Sequence, residues 1–127
     1  MPPTLETRRP RVPQLDELPF YSLYRHGFVR VAVATPSVEI ASPTANVAEM
    51  ARIAREAAAN KAILVVFPEL GISAYSNEDL FQQDALLDGS VQALGTLVEA
   101  SKEIGITLAV GMPLRADDRL FNCAVLL

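Results

Sequence analysis

Ala62-Ile63-Leu64-Val65-Val66-Phe67-Pro68-Glu69 decides the fold. Six apolar residues run without interruption, meet a proline and hand over to a carboxylate. An uninterrupted run of this length, rich in β-branched residues, reads as a strand buried on both faces. Proline lacks the backbone donor that a ladder needs, so the strand stops at Pro68. Upstream, Phe28-Val29-Arg30-Val31-Ala32-Val33-Ala34-Thr35 is a similar run that ends at Pro36. Between the two, Ser42 suits an N-cap and Pro43 the first helical position. Val47, Met50, Ala51, Ala54 and Ala58 then recur at spacings of three and four, which makes one apolar stripe. Glu49, Arg52, Arg55 and Glu56 take the outer side, and the pattern stops near Asn60-Lys61. Strand, helix and strand with short connections form a βαβ unit, so the two strands are expected to be parallel neighbours.

Downstream, Gly71-Ile72-Ser73-Ala74-Tyr75-Ser76 is a loop. A helical region is expected from about Asn77, with Glu78 and Asp79 favourable in its first turn. Gly89 predicts a break. A second helical stretch carries Val91, Leu94, Val98 and Ser101, with Leu97 and Ile104 beside them, and Gly105 closes it. Residues 106–111 form a third strand. After the polar turn Arg115-Ala116-Asp117-Asp118-Arg119, residues 120–127 form a fourth, paired antiparallel with the third. The fold class is therefore α/β: a βαβ unit, helices and a β-hairpin, with two helical layers over a sheet. The sequence stops inside an apolar strand. A bare apolar edge is an aggregation liability, so the native chain is expected to continue past Leu127.

Composition bounds the function classes. The chain has 127 residues, half of them hydrophobic and a fifth charged, which is globular usage. No apolar run reaches the about 18 residues of a membrane span, and the start Met1-Pro2-Pro3-Thr4-Leu5-Glu6 has no signal-peptide core. The single cysteine, Cys123, excludes an internal disulfide framework and a Cys-rich metal site. A cytoplasmic protein with no membrane partner is expected. With a net charge of −4 there is no basic field for nucleic acid. The basic cluster Arg8, Arg9 and Arg11 sits on a Pro/Arg-rich arm, residues 1–19, which reads as irregular until it docks. Phe20, Tyr21 and Tyr24 follow, and could anchor the start of the fold by burying their rings.

Glu69 is the sharpest chemical candidate. In open α/β sheets, sites form outside the C-terminal ends of parallel strands. Apolar walls there raise the proton affinity of a carboxylate, which suits a general base. The alternative is a strand-end glutamate pointing into water.

Phe67-Pro68-Glu69-Leu70 followed by Ser73-Ala74-Tyr75 resembles the first signature of the nitrilase superfamily of carbon-nitrogen hydrolases. The order of Arg30-Val31-Ala32-Val33-Ala34, the Glu strand, Val110-Gly111-Met112-Pro113 and Phe121-Asn122-Cys123-Ala124 matches as well. The segments from Phe20 to Ala32 and the run Tyr75-Ser76-Asn77-Glu78-Asp79 with Gln83-Asp84 narrow the resemblance to the glutaminase domains of bacterial glutamine-dependent NAD synthetases. It covers residues 20–127. It implies part of an α-β-β-α sandwich, incomplete at its C-terminus, and a Glu-Lys-Cys triad in which Glu69 matches the general base. Tyr75 matches a tyrosine near the glutamine site, with packing in an ordered loop as the alternative.

The lysine and the cysteine of that triad have no counterpart here. Lys61 and Lys102 sit near helix ends, and Cys123 holds a variable position within a strand, where a lone cysteine is ordinarily a small core residue. His26 has no partner at a useful spacing. No metal cluster and no phosphate loop is visible in the sequence. The resemblance implies glutamine as substrate, homo-oligomers, and no cofactor in this segment, with ATP and Mg belonging to a downstream synthetase domain. Another amidase, carbamoylase or nitrilase is the second reading, and a non-catalytic module acting in assembly is the third.

Overall fold

The computed structural model describes residues 12–127. Arg8, Arg9, Arg11, Pro2, Pro3 and Pro10 lie outside the described residues. The rest of the arm is exposed apart from the half-buried Leu18, and includes one short 3-10 turn, Leu15–Glu17. The aromatic anchor is narrower than expected. Phe20 is exposed and Tyr21 is 95% exposed. Tyr24 tucks in part-way, and its hydroxyl donates to the Lys61 carbonyl.

The four strands are β1 (Val31–Val33), β2 (Leu64–Val66), β3 (Thr107–Ala116) and β4 (Arg119–Leu126), side by side in that order. β1 runs parallel to β2, and β2 parallel to β3, with Val65 opposite both Ala32 and Leu108. β3 and β4 form the expected antiparallel hairpin. Asp117 and Asp118 have φ of 49° and 57°, the left-handed pair of a tight turn that matches the strand twist. β1 is shorter than the run that encodes it, because its ladder lasts only while β2 lies alongside.

Helix α1 spans Pro43–Ala59, with Pro43 at its start as expected. Ser42 caps through its backbone: its carbonyl accepts from the Asn46 N–H, and its side chain makes no cap bond. At the other end Lys61 takes φ of 65°, while Lys61 N–H donates to Ala58 and Ala62 N–H to Ala57. These two bonds are a Schellman closure, here with lysine at the left-handed position usually given to glycine.

Helix α2 spans Asp84–Ile104 and passes through Gly89 without a break. The interruption falls earlier, at Gln83, after a 3-10 turn over Glu78–Gln82. Gly89 costs only about 1 kcal/mol in a helix interior. The burial of Leu86, Leu87, Ser90, Ala93 and Leu97 on one stripe outweighs that. The buried stripe is also rotated from the expected one, leaving Val91 exposed. Gly105 ends the helix at φ of 72°, and its N–H donates to Ser101.

α1 and α2 pack beside each other on one face of the sheet. Val65, Phe67, Leu108, Val110 and Met112 meet Val47, Met50, Ala54, Ala93 and Leu97 there, and this is the core. The expected second helical layer is absent among the described residues, and the strands are not buried on both faces. On the other face Val33 is 83% exposed and Leu126 72%. Both faces are apolar, so the sequence pattern could not tell the covered side from the open one.

Candidate active site

Phe67 extends the sheet by one bond, donating to the Ala109 carbonyl, and Pro68 ends the pairing. The chain then turns tightly. Gly71 N–H donates to Pro68, Ser73 N–H to Leu70, and Leu70 itself sits at φ of 51°. The turn lies directly on β3. A Cβ at Gly111 would fall 2.4 Å from the Leu70 nitrogen and 2.8 Å from the Pro68 oxygen. Backbone cannot yield as a flexible side chain can, so this approach requires glycine.

Glu69 is thereby set at the tip of β2, with its side chain over the open face of the sheet. Its carboxylate accepts a hydrogen bond at 2.5 Å from the Asn122 side chain of β4. Glu69 and Asn122 line two adjoining clefts. One, about 280 Å³, runs along the sheet past Val66, Ala109 and Ala124. The other, about 450 Å³, is walled by Tyr75, Ser76, Glu78 and Phe81.

The two side chains singled out in the sequence therefore share a cavity. Glu69 does not point away from the neighbouring strand tips. It is nevertheless an exposed residue, so the apolar enclosure expected around it is not closed by the described residues. Tyr75 is 66% exposed and is not a core packing residue.

The loop bearing Tyr75 is held by buried amides. Asn46 donates to the Ile72 carbonyl at 3.0 Å and makes a two-way pair with the Glu39 backbone. Asn77 donates to the Ser73 and Ala74 carbonyls at 2.8 and 2.6 Å. Its carbonyl accepts from the Leu80 N–H at the start of the Glu78–Gln82 turn, while its side chain ties back into the loop. Ala74 and Glu78 have φ of 71° and 48°. With Leu70, three non-glycine residues in left-handed conformations flank the cleft. Such strain persists only where surrounding bonds over-determine it, and it clusters at functional sites.

Asn122 and Glu78 were not recognised as cleft residues in the sequence. The alternation of β4 does put Asn122 on the face of Ala124 and Leu126. Its meeting with Glu69 depends on the hairpin register, Pro113 opposite Asn122, which no local pattern reveals.

Cys123 borders the cleft along the sheet, but strand alternation turns its side chain to the helix face, where it is half-buried against the core cluster. The remaining candidates lie elsewhere. Lys102 pairs with Glu99 on α2. Lys61 precedes β2, at the opposite end of that strand from Glu69. His26 is exposed and bonds the Phe20 carbonyl at 2.7 Å. No cation lines either cleft among the described residues. These groups can accept and orient a proton; they supply neither a thiolate nor a cation for an oxyanion. Among the described residues no helix is long and apolar enough to cross a membrane.

Over 108 residues the chain is 47% identical to the glutamine-dependent NAD(+) synthetase of Mycobacterium bovis, covering 85% of this chain and 16% of that protein. The chain thus spans about a sixth of the curated relatives it matches. Among solved structures, the glutamine-dependent NAD(+) synthetase from Cytophaga hutchinsonii superposes with a TM-score of 0.72 at 24% identity, over 78% of this chain and 17% of that one. An amidase from Nesterenkonia sp. superposes with a TM-score of 0.67 at 22% identity, over 77% of this chain and 37% of that one. These two likenesses carry the fold. The carbon-nitrogen hydrolase family matches residues 30–127, which takes in every strand and both long helices, and the chain belongs to that family.

Proposed function

We propose that this chain is the first part of a glutaminase and that Glu69 is its general base. The supporting observation is the placement of Glu69 at the tip of β2, in a cleft with Tyr75 and in hydrogen-bond contact with Asn122. The lysine and the nucleophilic cysteine belong to later chain. Glu69 takes the proton of that thiol, and the thiolate attacks the side-chain amide carbon of glutamine. Glu69 returns that proton to the nitrogen as the C–N bond breaks, the nitrogen leaves as ammonia, and a thioester remains. Water then attacks the thioester, giving glutamate and regenerating the thiol. Tyr75 lines the glutamine site.

In this reading the ammonia serves ATP-dependent NAD synthesis from nicotinic acid adenine dinucleotide. ATP and Mg act in a downstream synthetase domain, and the complete protein is a cytoplasmic homo-oligomer. The 47% identity to an NAD(+) synthetase supports this choice. Residues 1–127 alone lack the thiol and lysine, so no glutamine hydrolysis is expected from them.

The test uses the full-length protein. Glu69→Gln keeps shape and loses the base, so glutamine-driven NAD formation should vanish while ammonia-driven formation persists. Loss of both together would remove the support for a general base. The second reading is an amidase acting on another carboxamide, which the carbon-nitrogen hydrolase family match over residues 30–127 also accommodates. It predicts that the full-length protein hydrolyses small amides and makes no NAD from either nitrogen source.

A further inference from the structure

A base that takes a proton from a thiol held elsewhere must present a lone pair in one direction. Glu69 is an exposed glutamate with freely rotating bonds, so its backbone alone does not select that direction. Two features of the chain do. Gly111 lets the Pro68–Leu70 backbone settle onto β3, which brings the side chain within reach of β4. Asn122 then donates from Nδ2 to Oε1 at 2.5 Å, across 53 residues of sequence. Only the amide nitrogen can face a carboxylate, so the orientation of Asn122 is determined as well. Its position is fixed by the hairpin, where Pro113 opposes Asn122 and Gly111 opposes Ala124.

We propose that Asn122 is the positioning residue of the general base: its amide holds Oε1 and leaves Oε2 free to receive the thiol proton. This rests on the reading of Glu69 as the base. The chemistry explains why an amide stands there. A carboxamide orients without a net charge of its own.

The experiment compares Asn122→Ala, Asn122→Asp and Asn122→Gln in the full-length protein, beside Glu69→Gln. Asn122→Asp keeps the shape, loses the donor and adds a like charge. Asn122→Gln keeps the donor on a longer arm, and the cleft of about 450 Å³ has room for it.

For glutamine-driven turnover, kcat should fall about 10- to 100-fold in Asn122→Ala, as for a lost hydrogen bond to a charged group. It should fall further in Asn122→Asp and recover in part in Asn122→Gln. KM for glutamine and ammonia-driven turnover should hold. In Asn122→Asp the acid limb of the glutamine profile should move to higher pH, because a like charge disfavours ionisation of its neighbour. Combining Asn122→Ala with Glu69→Gln should add no further loss.

A change in KM alone would make Asn122 a substrate contact and overturn the proposal. An equal fall in both activities would make it structural and overturn it too. If Glu69→Gln abolishes glutamine use while every Asn122 variant retains it, the base survives and its positioning residue fails. If Glu69→Gln itself retains glutamine use, the base reading fails first.

Discussion

The two faces of one sheet behave differently. On the helix side, Val65, Leu108, Val110 and Met112 are essentially inaccessible. On the other side, Val31, Val33, Val66 and Leu126 are exposed, although they are equally apolar. The covered face fixes the fold, since both helices pack there. The open face carries the candidate chemistry, since Glu69 and Asn122 meet on it. The difference shows why this fold can bring distant residues together: the packed side holds the strand register, and the open side presents what that register aligns.

The largest test of the contrast is a matched truncation. Leu108→Ala empties a fully buried position against Val65 and the helices, and should cost about 2–5 kcal/mol in urea unfolding. Gly111→Ala comes next. Its new methyl would meet backbone at 2.4 Å, so the Pro68–Leu70 turn must lift from β3. A cost of about 1–3 kcal/mol is expected, as for overpacking. The same change should loosen Glu69 from Asn122. An unchanged melting curve for Gly111→Ala would mean that the turn does not lie on β3 in solution.

What could be read in the sequence follows the same division. The βαβ unit was legible because Pro43 and the stripe Val47, Met50, Ala51 and Ala54 are local signals. The hairpin was legible because Asp117-Asp118 is a turn whose length sets the pairing. Glu69 was legible because a parallel strand end is a generic place for a site, and Tyr75 because it follows at a spacing the family resemblance supplies.

Three things were not. Two-sided burial was inferred from apolar runs, but periodicity cannot show which face is covered when both are hydrophobic. Gly89 looked like a breaker because propensity is local, whereas the packing of Leu86, Ser90, Ala93 and Leu97 is tertiary. Asn122 looked like part of a strand motif, since its role depends on register across two strands.

Val33→Ala sharpens the contrast from the other side. At 83% exposure, Val33 loses little contact on truncation, and a change within about 0.5 kcal/mol is expected for this chain. A loss as large as that of Leu108→Ala would show that the second face is packed in solution, and the distinction drawn between the faces would not hold.

The smallest effect belongs on the far side of α1, away from the sheet altogether. Arg52 forks onto Glu49 at 2.8 Å and reaches Glu56 at 3.4 Å. Its hydrogen bond and charge hold the Glu49 carboxyl below the usual carboxylate range. A carboxylate whose folded-state proton affinity is depressed adds stability above its unfolded value, and that contribution is lost as pH falls through the folded one. Arg52→Ala should therefore trim stability slightly near neutral pH and not at all at strongly acidic pH. Exposed pairs of this kind are screened by water and by salt, so the neutral-pH difference should shrink further as salt is added. Melting curves at neutral and acidic pH, with and without salt, read this directly. A large loss at neutral pH that salt leaves untouched would mean that the outer face of α1 is packed against something, and that the sheet is not where this chain keeps its principal uncovered surface.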